Sequence, residues 1–147
     1  MGDDPEQADW VSGASMVVRR AVLDAVGPMD EGYFLYFEET DFCLQARRAG
    51  WQTWYLPQAA VVHVAGQSTG LTGPHAKVAR VPGYWFDSRR RFFSKNHGRA
   101  YAMAADLAWA IAHLSCRVRR WIKPGDTDPP TLLRDFIRRS AWMVGSR

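Results

Sequence analysis

The sequence predicts a mixed α/β fold with few strands, continued by basic amphipathic helices. Three observations carry that expectation. Up to about residue 65, short apolar runs alternate with Gly and Pro, the pattern of strands and brief helices joined by turns. From residue 83 onward, apolar residues recur at helical spacing over longer segments. The charge changes at the same place: residues 1–66 hold ten acids and four bases, net −6, and residues 67–147 hold five acids and fifteen bases, net +10. With 47% hydrophobic and 13% aromatic residues in 147, the chain is long enough and apolar enough to bury a core.

Taken in order, "DWVSGASMVV" (9–18) reads as a strand, a Gly-Ala-Ser turn and a second short strand. Residues 20–26 read as a brief helix stopped by Gly27-Pro28. The stretch "MDEGYFLYF" (29–37) is a loop with aromatic anchors, and a helix runs from Glu39 or Thr40 to Ala49, ended by Gly50. "WQTWYLP" (51–57) is a strand halted by Pro57, and "AAVVHVAG" (59–66) a further buried strand. Residues 66–82, rich in Gly, Ser, Thr and Pro, form a loop. Helices are predicted over 83–97, 100–122 and 131–143, the last two separated by the linker "KPGDTDPP" (123–130).

Two stretches carry candidate chemistry. "YFLYFEETDFCLQARRAGW" (33–51) sets Glu38, Glu39 and Asp41 directly behind Tyr33, Phe34, Tyr36 and Phe37. Glu38 and Asp41, three apart, share a helix face. Acids in a first turn complement the helix dipole, which is the bland explanation. Aromatics that exclude water raise a carboxylate's proton affinity, which is the setting of a general base. The second stretch is His63 among Val61, Val62 and Val64. A histidine in a valine strand is ordinarily a core residue, but the loop Gly66-Gln67-Ser68-Thr69-Gly70 behind it is the setting of a ligand at a strand end.

Other classes fit less well. Cys43 and Cys116 make neither a disulfide framework nor a metal-ligand spacing, which predicts a reducing compartment. The acidic start "MGDDPEQADW" has no apolar signal core, and the apolar run 100–116, interrupted by Asp106 and His113, is short for a bilayer span. Residues 80–101 interleave bases with aromatics, but no RNA- or DNA-binding motif accompanies them, so nucleic acid is not an expected partner. In the last helices, Leu107, Ile111, Leu114 and Val118 recur at helical spacing beside Arg117, Arg119 and Arg120, and Phe136, Ile137, Trp142 and Met143 stand beside Arg134, Arg138 and Arg139. That pattern fits a membrane-surface helix or packing against a neighbouring helix.

Residues 9–69, through the motifs W-x-x-G-A, G-x-x-D-E-x-x-F-x-Y, the acidic cluster, R-x-x-G and H-x-x-x-x-S, resemble the C-terminal half of family 2 glycosyltransferases of the rhamnosyltransferase-like branch. The resemblance runs from about Asp9 to Gly98. It implies a GT-A fold and transfer of a sugar, with inversion, from a nucleotide-diphosphate donor to a cell-envelope glycan or polyprenyl-linked acceptor. It implies a divalent metal, Mn2+ or Mg2+, with the complete fold. It casts Glu39 as the base toward the acceptor hydroxyl, with Glu38 and Asp41 flanking it, and His63 at the metal or diphosphate. It puts Gln67 and Ser68 in the loop over the phosphates, Gly13 and Ala14 on the acceptor side, and the Arg-rich segment containing Arg89 near the donor phosphates or a lipid diphosphate. Residues 1–82 then form the acceptor and catalytic-base half, and 83–147 a basic helical extension. The nucleotide-binding half is expected from elsewhere, as a separate N-terminal piece, and the chain is expected to be inactive without it. The expected location is cytoplasmic, peripheral on the inner face of the cell membrane. The alternative is a non-catalytic membrane-surface or partner-binding module derived from the same fold.

Overall fold

The computed structural model describes residues 3–63, 80–122 and 128–145. The chain forms two compact units, Met1–Ala65 and Gly66–Arg147.

In the first unit, strand β1 (Glu6–Ala8) is followed by helices α1 (Arg20–Val26) and α2 (Glu38–Arg48) and strand β2 (Thr53–Tyr55). The two strands pair antiparallel, with Glu6 opposite Tyr55 and Ala8 opposite Thr53. Helix α1 ends where Gly27 takes φ 81° and returns its N–H to the Leu23 carbonyl at 2.8 Å. Pro28 then prevents continuation. Helix α2 ends at Gly50, φ 86°, with the Trp51 N–H returning to the Ala46 carbonyl at 2.9 Å. Phe42 and Ala46, four apart and so on one face, bury themselves with Val22 of α1, and Met16, Val18, Val26, Met29 and Trp51 close around them.

Two sequence expectations fail here. The turn at 13–15 forms, and the Ser12 hydroxyl accepts the Ala14 N–H at 3.2 Å, but residues 9–12 and 16–19 beside it are not strands. Residues 59–63 of the predicted buried strand are irregular, and Val62 is 95% exposed. Apolar alternation supplies a strand's side chains but not its ladder. Among the described residues the ladder consists of β1 and β2, and residues 59–63 add no strand to it.

The second unit holds α3 (Gly83–His97), α4 (Arg99–Ile122) and α5 (Leu132–Arg139). Gly98, φ 84°, stops α3 and lets α4 start at the next residue. The core is aromatic: Phe86 meets Phe136 edge-on at 6.3 Å, and Trp109 stacks on Phe136 at 3.8 Å. Helix α5 stops four residues short of its predicted end. A helical Ala141 N–H would bond the Ile137 carbonyl; instead it donates to Asp106 Oδ2 at 2.7 Å, and the Ser140 N–H and hydroxyl take the Ile137 oxygen.

Asp135 ties α5 down. It accepts two bonds from Arg80, each 2.7 Å, and one from the Thr131 hydroxyl at 2.6 Å. The Arg80 guanidinium, followed by Thr131, holds its carboxyl well below the usual carboxylate range. A depressed carboxyl stabilises the fold fully above its unfolded value of about 3.9, and the contribution disappears as pH falls through the folded value. Asp135→Asn is therefore expected to lower the unfolding midpoint at pH 7 and to flatten its acid dependence, read by circular dichroism between neutral pH and pH 2. Equal midpoints at pH 7 would remove the tie.

Candidate active site

The first turn of α2 carries Glu38, Glu39 and Asp41, and the chain approaches it through an unusual backbone. Tyr36 and Phe37 have φ 69° and 71°, left-handed values at two adjacent residues that are not glycine. Such residues cost on the order of 1–3 kcal/mol each and persist only where surrounding structure imposes them. Phe37 occupies the N-cap position without a capping side-chain bond, and its carbonyl accepts the Asp41 N–H at 2.8 Å. The reversal at Tyr36–Phe37 brings the acids in directly behind the aromatics: Tyr33 is buried, Tyr36 and Phe37 are half-buried, and Phe34 is exposed.

Asp41 is 2% exposed and accepts a bond from Gln45 Nε2 at 3.3 Å. The Oε2 atoms of both Glu38 and Glu39 are shielded from water and have no hydrogen-bond partner among the described residues. Burial pushes the Glu38 carboxyl up, a backbone hydrogen bond opposes the shift, and the neighbouring charge of Glu39 adds to it. Acids that only complement a helix dipole sit in water at no desolvation cost. These do not, and an orphaned buried oxygen is costly enough to need a reason. Because charged Glu38 is disfavoured in the fold, its raised proton affinity makes the protein more stable as pH falls through the folded value. Glu38→Gln is accordingly expected to raise the melting temperature at pH 7–8 and to lose that advantage near pH 4, read by differential scanning fluorimetry. A lower melting temperature at pH 8 would contradict this.

The other expected site residues are scattered. Gly13 and Ala14 form an exposed turn of the same unit. His63 is exposed. Gln67 and Ser68 lie outside the described residues. Arg89 belongs to the second unit, where it is 8% exposed, ion-paired with Asp106, donating to the Ala105 carbonyl and lying 4.9 Å over the Phe93 ring and 5.2 Å over that of Phe136. Instead of facing phosphate, its guanidinium is enclosed in the core. Among the described residues no three His, Cys, Asp or Glu side chains come together to hold a metal. The described residues do not fit a metal by themselves.

Sequence reasoning missed a polar cavity of about 340 Å3 between the β ribbon and the end of α2, lined by Asp9, Arg47, Trp51 and Thr53 among others. Arg47 pairs there with Asp9, and Arg19 lies 5.8 Å over the Trp51 ring. Its walls depend on β1, which has no sequence signal of its own.

Residues 2–80 match the glycosyltransferase like family 2. The chain belongs to this family. The match contains the acidic turn, the Gly13–Ser15 turn and His63, and the mixed α/β architecture of the chain is consistent with part of a GT-A fold. Over 61 residues, 42% of the chain and 20% of the relative, it is 43% identical to an N-acetylglucosaminyl-diphospho-decaprenol L-rhamnosyltransferase of Mycobacterium tuberculosis. It is 39% identical over 57 residues to the rhamnosyltransferase WbbL of Escherichia coli, covering 39% of the chain and 22% of that protein. It is 38% identical over 40 residues to the low-salt glycan biosynthesis hexosyltransferase Agl10 of Haloferax volcanii, covering 27% and 13%. The chain thus spans about a fifth of the length of the two rhamnosyltransferases. No solved structure matches it.

Proposed function

We propose that the first unit is the acceptor-side, catalytic-base part of an inverting glycosyltransferase that moves a sugar from a nucleotide-diphosphate donor onto a lipid-linked cell-envelope glycan. The observation that carries this reading is the pair of shielded, unpartnered carboxylate oxygens on Glu38 and Glu39. A sugar is a dense array of hydroxyl donors, and such oxygens accept from them. The Glu39 carboxylate takes the proton of the acceptor hydroxyl as its oxygen bonds to the sugar's anomeric carbon. The bond to the diphosphate breaks on the opposite face, the nucleoside diphosphate leaves, and the configuration inverts. Glu38, with its raised proton affinity, and the enclosed Asp41 position the acceptor, which Gly13 and Ala14 border. The resemblance assigns Gln67 and Ser68 to the donor diphosphate. Rhamnose as the donor sugar, and a polyprenyl diphosphate as the acceptor anchor, are supported by the relatives' names. A cytoplasmic location at the inner face of the membrane gives both a soluble donor and a lipid acceptor access to the acids.

The test is a transfer assay with a nucleotide-binding half supplied in trans, following sugar incorporation into a lipid-linked acceptor. Incorporation with Glu39 in place and its loss in Glu39→Gln, with donor binding retained, supports the reading. No incorporation under any pairing would leave the chain a non-catalytic module of the family.

A further inference from the structure

Helix α4 is apolar on two faces, and only one of them is used. Ala102, Asp106, Trp109 and His113 face inward toward the core and its polar partners. At about 100° per residue, Ala104, Leu107, Ile111, Leu114 and Val118 fall within about 80° of one another, roughly opposite that face. All five are exposed, Ile111 by 59% and Val118 by 64%. Arg99 and Arg117 flank this stripe on one side and Arg119 on the other, each about 100° from its centre.

The charge around the stripe has one sign. Among the described residues of this unit the acids are engaged: Asp87 with Arg90 and Arg139, Asp106 with Arg89, Asp128 with Arg120, and Asp135 with Arg80. Arg99, Arg117 and Arg119 stand outside any ion pair in that set; Arg119 donates to Cys116 Sγ, and Arg117 lends Asp128 a charge attraction. Beside the first half of α4, Trp142 is 53% exposed while its indole N–H donates to the Met103 carbonyl at 3.1 Å, and Met143 beside it is 66% exposed. A half-wet indole tied by its N–H is the arrangement found at a water–lipid boundary.

We propose that α4 lies flat on an anionic lipid bilayer, its Leu107–Val118 stripe in the acyl boundary and Arg99, Arg117 and Arg119 on the headgroup phosphates. The repeat of four and three residues also fits a seam between two copies. Two copies would bring these arginines together with no exposed acid on α4 to oppose them, whereas anionic headgroups neutralise them. No described helix is long and apolar enough to cross a membrane, so α4, about 36 Å long, rests on the surface. The inference stands on the second unit and does not depend on sugar transfer by the first.

Sedimentation of the full chain with vesicles of phosphatidylglycerol and phosphatidylcholine, against phosphatidylcholine alone, tests it. Binding is expected to the anionic vesicles, weakening with salt. Ile111→Glu with Leu114→Glu, both at exposed positions, is expected to abolish binding while circular dichroism stays unchanged. Arg117→Ala and Arg119→Ala are each expected to weaken binding about fivefold. Absence of binding at low salt overturns the proposal. So does binding that survives the double substitution, and so does a wild-type dimer that the same substitution converts to monomer without any vesicle binding.

Discussion

Asp106→Ala is expected to destabilise the second unit by about 3–5 kcal/mol, the cost of removing one partner from a buried ion pair. The side chains of Asp106 and Arg89 are 3% and 10% exposed, so the guanidinium left behind has no water to replace the carboxylate. The substitution also orphans the Ala141 N–H, which holds the chain past α5 against α4. Domains of this size have a net stability of about 5–15 kcal/mol, so one such loss takes a large share of it. By contrast, Arg20–Asp24, with side chains 86% and 61% exposed, is an ion pair in water and is worth less than about 1 kcal/mol. Urea unfolding followed by circular dichroism reads the difference. Arg89→Met with Asp106→Leu, which removes both charges, is expected to recover the part of the loss that comes from the stranded guanidinium but not the part that comes from the Ala141 N–H. A wild-type midpoint in Asp106→Ala would show that the pair contributes nothing.

That pair also marks the limit of what could be read from sequence. Asp106 appears there as an interruption in an apolar run, and Arg89 as one of three consecutive arginines suited to phosphate. Seventeen residues separate them, and no periodicity within one helix announces a bond between two. Local signals did better. Gly27-Pro28 and Gly98 end α1 and α3 where the sequence says, because a left-handed glycine and a proline act on their own backbone. The acidic turn was legible for the same reason, since its residues are adjacent. Its left-handed approach was not, because Tyr and Phe rarely adopt positive φ and nothing local requires it. β1 falls in the acidic start, where no strand is predicted; it becomes a strand through β2, more than forty residues later.

Glu39→Gln is expected to lower sugar transfer by about 10²–10⁴-fold, the range for losing a general base, and to leave donor affinity unchanged. The amide preserves shape and one accepting oxygen, so acceptor binding suffers far less than the proton transfer. Glu38→Gln provides the contrast. It keeps the base and removes a carboxyl whose charged form the fold disfavours, so it should cost transfer less while raising stability. Rates of both variants in the reconstituted assay, set beside their melting temperatures, separate the two glutamates. Full transfer by Glu39→Gln would move the base to Asp41 or Glu38.

The ribbon of β1 and β2 has a different kind of consequence. Glu6 faces Tyr55 across the ladder, and the Gln58 side-chain amide reaches the Asp3 carbonyl. Residues 3–8 and 53–58 therefore lie side by side, with both helices looped out between them. A segment closed this way has the form of a cassette: sequence can be joined at either side of the ribbon without threading through the core between α1 and α2.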